Sequence, residues 1–347
     1  MTTQNQPDKN IVNFPSDKNG CGYYRTFIPY GYLACKYNYN VTNLMEFVFD
    51  LNFIARSQSI RFQRQVTEAQ KKVVFEYKKV IQRVGAKTKL IYEIDDNVHE
   101  IMPSNIVAYQ FYTETKKNNM LQIMRNVDKV TFSTQFLKDY YKERFGIENS
   151  IVVPNYLPKF LWGGAGKRDK YKKGSKPRIL WAGSASHVGK GGDLEFLLPL
   201  IKKTKDEFEW VFFGVIPPEL TGQFEFHNWS DFYSYPAALD AINADIALAP
   251  ICDNAFNYGK SDLKLLEYAA LGLPGVYSSI GDGLGPYDLV EGIPCVKNNM
   301  DEWYQAIKGL TSDQAKWDAA LQASQRELSK RWLEDESNIK VYHDVHS

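Results

Sequence analysis

The chain has 347 residues, of which 44% are hydrophobic, 24% charged and 14% aromatic, which is long for one ordinary core and enough for two. Forty-two lysines and arginines against 41 acidic residues leave a formal charge of +1, so the average field excludes strong non-specific attachment to nucleic acid or membrane, and a polyanion must be met by a local patch. No apolar run approaches the roughly 18 residues of a membrane span, and the polar opening 1–10 lacks the apolar core of a signal peptide. A cytosolic protein with no membrane partner is expected. Cys21, Cys35, Cys252 and Cys295 are too scattered for a disulfide framework or a zinc site.

From 11 to 153 short β-rich runs alternate with amphipathic segments, the pattern of a parallel sheet covered by helices on both faces. A first strand is expected at 11–14 and another at Ser57–Gln63. Thr67 with Gln70 forms a capping-box signature, and Val73, Tyr77, Val80, Ile81 and Val84 follow at helical spacing until Gly85 supplies a stop. Lys89–Ile94 is rich in β-branched and aromatic residues and ends at Asp95, Asp96 and Asn97, so 57–97 reads as one βαβ unit. The acidic pair thus sits at the carboxyl end of a strand, the edge where open α/β sheets bind ligands. A helix ending near Asn126, a strand at Lys129–Phe132, a helix at Gln135–Phe145 closed by Gly146 and a strand at 150–153 complete this half. Pro154, Asn155 and Pro158 interrupt it. After Gly163, Gly164 and Gly166, the stretch 167–178 carries seven basic residues and one acidic one, the composition of a mobile linker.

The alternation then restarts, with strands expected near Arg178–Ala182, 210–213, 245–250 and 275–278 and helices around 193–204, 235–243 and 261–271. The closing 311–346 is helical and charged, with Trp317, Leu321, Leu328, Trp332 and Leu333 as packing positions. The expected organisation is α/β, with Rossmann-like domains at 1–155 and 179–325, a basic linker at 156–178 and a C-terminal helix at 326–347 available to pack back on the first domain.

Four places carry chemistry. In 258–278, Lys260, Ser261 and Asp262 precede or open a helix whose amino end attracts anions, Lys264 follows, and Glu267 lies one turn below, where a carboxylate can accept two ribose hydroxyls. A plain amphipathic helix with solvated charges is the other reading. In 179–192 a strand runs into a Gly- and Ser-rich loop containing Gly183, Ser184, His187 and Lys190, a natural phosphate cradle. Asp95 and Asp96, with His99 nearby, could accept an acceptor proton or stabilise developing positive charge, hold Mg²⁺ or Mn²⁺, or cap the next helix. Gly20 and Gly22 form a Gly-x-Gly turn beside Arg25, which faces either phosphates or plain solvent.

KSDLKLLEYAALGLP resembles the donor-site helix of GT-B glycosyltransferases of the family 4 type. Glu267 matches the second Glu of that family's Glu-seven-residues-Glu motif, which binds ribose; Gly259 stands where the first would be, a departure that implies an unusual donor sugar or binding mode. NGCGYYR, with Gly20, Gly22 and Arg25, resembles the Gly-rich loop that approaches diphosphate and acceptor, and Val152, Val153, Pro154, Asn155 and Tyr156 resemble the family's inter-domain crossover. ILWAGSASHVGKGG resembles its Gly-Arg…Lys-Gly loop, with Lys190 in the later place and Ser184 where the arginine would be. The resemblance implies two doubly wound domains whose parallel sheets face across a cleft, a UDP-sugar co-substrate held by Lys190, Lys260, Ser261, Lys264 and Glu267, Asp95 or Asp96 on the acceptor side, retention of configuration, and no required metal.

The spelling of these motifs is most similar to glycosyltransferases of tailed bacteriophages, which implies 5-hydroxymethylcytosine in phage DNA as acceptor, glucose or arabinose as sugar, and the host cytoplasm as location. Lys167, Arg168, Lys170, Lys172 and Lys173, with Lys71, Lys72, Lys78 and Lys79, would then meet the duplex backbone; a solvated flexible linker is the other reading of the first five. Tyr23, Tyr24, Tyr30, Tyr32, Tyr37 and Tyr39 are available to a flipped base or to a core. The rival readings are a glycosyltransferase for a cell-surface polysaccharide or small molecule, a nucleotide-sugar epimerase, and a non-catalytic DNA-binding protein.

Overall fold

The computed structural model describes residues 9–164 and 176–347. They form two compact α/β units. One comprises the chain up to His99, Tyr112–Tyr156 and Leu333–Ser347; the other comprises Glu100–Phe111 and Leu157–Trp332.

The first unit is built on six strands: β1 (Asn10–Phe14), β2 (Asn40–Asn43), β3 (Ser57–Gln63), β4 (Lys89–Ile94), β5 (Lys129–Phe132) and β6 (Ser150–Val152). All pair in parallel, in the order β2-β1-β3-β4-β5-β6. The Glu68–Val84 helix starts at the Thr67–Gln70 capping box and ends at Gly85 in the left-handed region. The period-two alternation of β3 gives the sheet two unlike faces. Phe14, Phe62 and Tyr77 pack together on one side, with Phe14 and Phe62 stacked 5.5 Å apart. The alternate residues Ser59, Arg61 and Gln63 are equally buried but polar.

That polar face is organised by Glu93, which is wholly buried. Arg25 Nε lies 2.7 Å and Arg61 Nη2 3.2 Å from its carboxylate. Arg61 Nη1 also donates to Thr26 Oγ1 (2.9 Å), which donates to Gln63 Oε1 (2.7 Å). The C-terminal Glu336–Val345 helix belongs to this unit and buries Tyr342. His346 lies beyond it, with Nδ1 2.6 Å from Ser59 Oγ and Nε2 3.1 Å from Tyr30 Oη.

The second unit has β7 (Arg178–Ala182), β8 (Glu209–Gly214), β9 (Glu225–Asn228), β10 (Ile246–Ala249), β11 (Gly275–Ser279) and β12 (Cys295–Lys297). They form a parallel sheet in the order β12-β11-β10-β7-β8-β9, the doubly wound Rossmann order. Strand order reverses between β7 and β10, so the crevice at their carboxyl ends is the place where such sheets take ligands. Trp181, Trp210, Phe212, Leu248, Trp303 and Ile307 fill the core beneath it.

Several expected boundaries shift for physical reasons. β2, β9 and β12 are short and largely solvent-facing edge strands, without the apolar run that marks a buried one. The helix expected at 193–204 becomes a 3₁₀ turn at Glu195–Leu197 and then the Leu198–Lys203 helix, whose first turn contains Pro199. The beginning of the stretch read as linker is packed: Leu157 N–H donates to Arg331 O at 3.0 Å, and buried Trp162 lies 5.9 Å from the Tyr235 ring. Among the described residues no helix is long and apolar enough to cross a membrane.

His99 Nδ1 lies 2.8 Å from Tyr141 Oη, and the ring packs against Tyr141 and Phe145. Burial, with nearby Lys117, pushes its pKa down to about 4, and burial beside Arg61 holds His346 well below the ordinary histidine range. The folded chain therefore keeps both rings neutral where the unfolded chain protonates, so stability falls as pH drops through the ordinary histidine pKa of about 6.5. His99 accounts for roughly 3 kcal/mol of that loss by about pH 4, at ~1.4 kcal/mol per tenfold change in proton affinity. Melting temperature measured against pH should decline across this window, and less steeply in His99→Gln.

Candidate functional site

Each sheet presents a cluster of polar side chains at its carboxyl edge. In the first unit, β1 leads into the turn 15–22. Asp17 Oδ1 accepts from the backbone N–H of Asn19 (2.8 Å) and Gly22 (3.1 Å). A Cβ at Gly22 would stand 2.0 Å from Asp17 O, so this glycine is required by the turn itself, whereas a Cβ at Gly20 meets open space. Beside the turn, Arg64 follows β3 with φ +52, a left-handed conformation costly for a residue with a side chain. Its guanidinium bridges the carboxylates of Asp95, through Nε, and Asp96, 2.6 Å from Nη2. Cys21 Sγ lies 3.6 Å from the same Nη2.

Burial raises the Asp95 pKa above the usual aspartate value, and Arg64 opposes the rise without cancelling it. Asp95 therefore holds a proton more readily than an ordinary aspartate, a property suited to taking one from a hydroxyl. Burial also pushes the Cys21 thiol far up, which leaves it un-ionised and unreactive.

In the second unit, β7 leads into Gly183, Ser184 and the Ala185–His187 turn. His187 Nδ1 lies 2.6 Å from Asp193 Oδ2. Asp193 Oδ1 accepts from Cys252 N–H (2.6 Å) and Asn257 Nδ2 (2.9 Å), so this one carboxylate ties the loop after β7 to the loop after β10. Burial works against its charge, but the His187 partner and the Cys252 N–H outweigh burial and lower the Asp193 pKa.

The Leu263–Ala270 helix supplies Glu267, only 3% exposed, with Lys264 Nζ 2.8 Å from Oε2. Tyr235 Oη accepts from Lys264 Nζ (2.7 Å) and donates to Glu267 Oε2 (3.4 Å). Burial disfavours the Lys264 cation, yet Glu267 outweighs it and raises the Lys264 pKa. Asp262, at the head of the helix, is bound by Arg331 Nη1 (3.0 Å) and Nη2 (3.1 Å). Trp229, directly after β9, is 51% exposed, with its ring 5.4 Å from Tyr235 and 5.6 Å from Phe213. Gly214 makes room for it, since a Cβ there would stand 3.3 Å from the indole and 2.6 Å from Gly183 O.

The sequence-derived residues thus separate. Lys264 and Glu267 are in direct contact, and Gly183, Ser184 and His187 lie along one loop, with Lys190 exposed further along it. Lys260 Nζ stands 4.6 Å over the Phe256 ring and contributes to the field at Asp193, while Ser261 is partly buried. Arg25 is a correction: it is 1% exposed, and beyond Glu93 its Nη1 donates to Val153 O (2.6 Å) and Asn155 Oδ1 (2.9 Å). It faces the interior and ties the chain before Leu157 to the sheet. Gly22 is likewise accounted for by the turn.

Lys71 and Lys79 pair with Glu68 (2.9 Å) and Glu76 (2.6 Å), Lys78 donates to Asn126 O (2.8 Å), and Tyr24, Tyr30 and Tyr39 are core residues. Lys167, Arg168, Lys170, Lys172 and Lys173 lie outside the described residues. Among the described residues no group of three or more His, Cys, Asp or Glu side chains could hold a metal ion. Arg64, Asp193, Tyr235 and Trp229 had no motif to announce them. The one sequence signal was position: Arg64 and Trp229 directly follow a strand and Asp193 follows two glycines, whereas Tyr235 had no such signal.

No protein-family model matches the sequence, and no curated protein matches it in sequence. Solved structures do match. Sucrose-phosphate synthase from Thermosynechococcus elongatus aligns with a TM-score of 0.65 at 12% identity, covering 97% of this chain and 99% of that one. The fold is GT-B. Anabaena HepE, solved in complex with UDP and glucose, aligns at 0.64 and 13% identity over 98% and 99% of the two chains. A glycosyltransferase from Rickettsia africae aligns at 0.58 and 15% identity over 97% of each chain.

Removing the shared guanidinium in Arg64→Met leaves Asp95 without its main opposing charge. The Asp95 carboxyl is expected to titrate at a higher pH than in the unmodified chain, as followed by carboxyl carbon NMR; an unchanged or lower midpoint contradicts the role of Arg64 as common counter-ion.

Proposed function

We propose that the chain is a glycosyltransferase of the family 4 type that takes a sugar from a UDP-sugar and passes it to an acceptor hydroxyl with retention of configuration. The observation that carries the reading is the Glu267–Lys264–Tyr235 constellation at the carboxyl edge of a Rossmann sheet in a GT-B fold. Glu267 would accept the ribose hydroxyls, and the half-exposed face of Trp229, one ring away through Tyr235, would stack the base. The Gly183–Ser184 loop with Lys190 and Lys260 would receive the diphosphate, whose departure breaks the bond to the anomeric carbon as the acceptor oxygen bonds to it. In the first unit Asp95, with its raised proton affinity, or Asp96 would receive the acceptor side.

For the acceptor we propose 5-hydroxymethylcytosine in duplex DNA, as modified in phage genomes. Support comes from the seven basic residues in 167–178, including Lys167, Arg168, Lys170, Lys172 and Lys173, in a chain whose formal net charge is only +1. A small-molecule or cell-surface acceptor with an apolar portion is the second reading, favoured by exposed Met45, Val48, Phe49 and Leu51 following β2.

The deciding experiment incubates the chain with a panel of nucleotide sugars, with and without hydroxymethylated DNA, and measures nucleoside diphosphate release and nucleoside mass. Sugar-bearing nucleosides are expected only with modified DNA; donor turnover that ignores DNA favours the second reading, and no turnover of any donor removes the enzyme assignment. Glu267→Gln should weaken UDP-sugar binding by about 100-fold in calorimetry, as expected for two hydrogen bonds to a charged group at roughly 1.5–3 kcal/mol each. Trp229→Ala should weaken it by about 5- to 150-fold and Trp229→Phe much less, given ~1–3 kcal/mol for stacking one base.

A further inference from the structure

Among the described residues several cations of the second unit already have partners, and Lys190 is exposed on the loop after β7. Lys264 is paired with Glu267 at 2.8 Å, Arg331 with Asp262 at 3.0 Å, and Lys260 lies over the Phe256 ring at 4.6 Å. Ser184 stands where the resembled loop carries an arginine. The crevice between β7 and β10 contains instead a carboxylate and an imidazole in contact, His187 Nδ1 and Asp193 Oδ2 at 2.6 Å.

We propose that the His187–Asp193 pair is a proton-linked anchor for the donor's diphosphate, doing the work that a fixed guanidinium does elsewhere. The inference rests on the donor reading of this site. With Nδ1 held by Asp193, the ring presents Nε2, which has no hydrogen-bond partner among the described residues, from a side chain 28% exposed. Asp193 is fixed from the other side by Cys252 N–H and Asn257 Nδ2, so it cannot swing away when the loop is loaded.

With the imidazole neutral the pair carries one negative charge and repels a diphosphate. With the imidazole protonated the pair is neutral overall and aims an Nε2–H donor outward, stabilised from behind by the carboxylate. The diphosphate diester of a nucleotide sugar has no proton to gain or lose near neutral pH, so a proton taken up on binding enters the protein. The other charged or titratable groups acting on the pair are Cys252 from the loop after β10, with Glu195 beside it, Lys260 ahead of the Leu263–Ala270 helix, and Tyr287, whose hydroxyl burial keeps un-ionised. Cys252 stays un-ionised, its thiol pushed up to about 12 by burial and by Asp193.

The test is calorimetry of UDP-glucose binding to the full chain between about pH 6 and 8, in buffers of different ionisation heat. Binding should tighten by about 10-fold toward the acid end, with net proton uptake. His187→Gln, whose amide can still donate to Asp193, should bind with the weak affinity of the alkaline end at every pH. His187→Arg should bind tightly at every pH. Asp193→Asn, which removes the charge behind the ring, should move the pH dependence to lower pH, a displacement that a purely structural staple would not produce. A pH-independent affinity in the unmodified chain, or an unchanged profile in His187→Gln, overturns the proposal while leaving the donor assignment intact. Failure of the unmodified chain to bind any nucleotide sugar at any pH would instead overturn that assignment, and the anchor with it.

Discussion

Glu93 is the point on which the first unit turns. A carboxylate with no solvent exposure can persist only if its charge is met inside the protein, and here two guanidiniums meet it from different parts of the chain. Arg61 comes from the neighbouring strand β3. Arg25 comes from the π-helical turn at Tyr23–Phe27 and continues to Val153 and Asn155. One ion cluster therefore fixes the Gly-rich turn, the two central strands and the chain leaving the sheet. Such a cluster adds little net stability compared with an apolar core, because each ion must be stripped of water, but it tolerates few alternative arrangements. The polar half of β3 exists to serve it.

The second unit solves the same problem on a smaller scale. Asp193 is nearly as buried as Glu93 and also joins segments distant in sequence, through one histidine, one backbone N–H and one amide. In each unit a buried carboxylate thus underlies a Gly-rich turn close to where strand order reverses. The turns themselves have little side-chain packing to hold them, so electrostatic fixation from below replaces it. At the first unit's edge Arg64 adds a third instance, drawing Asp95 and Asp96 together at the expense of a strained backbone.

Much of this architecture was legible because its signals are local. The Thr67–Gln70 box, the Gly85 and Gly146 stops and the β-branched run at Lys89–Ile94 are short-range statements about backbone energy, and the structure follows them closely. The edge strands β2, β9 and β12 were not, since a solvent-facing strand has no hydrophobic period to display. Arg25 was misread because its partner lies 68 residues away, and nothing in NGCGYYR announces a buried acid below. Glu267 and Lys264 were read from the helix pattern together with a resemblance, but Tyr235, 32 residues before Glu267, enters only through the packing of another helix. His187 was noticed and Asp193 was not, although only six positions separate them, because an acid after two glycines looks like ordinary loop.

The first unit is discontinuous in sequence, and this has a bearing on how the chain acquires its structure. Tyr342 and His346 cover the polar face of β3, yet they emerge from the ribosome after all of Leu157–Trp332 has been made. The second unit's segment from Leu157 onward can condense while Arg61, Glu93 and Arg25 still lack their covering. Contacts spanning 287 and 316 residues, those of Ser59 and Tyr30 with His346, close last because they demand the largest loops. The nascent first unit is thus a partly uncovered sheet for most of synthesis, and its ion cluster, being charged, is a surface that water can tolerate during the wait.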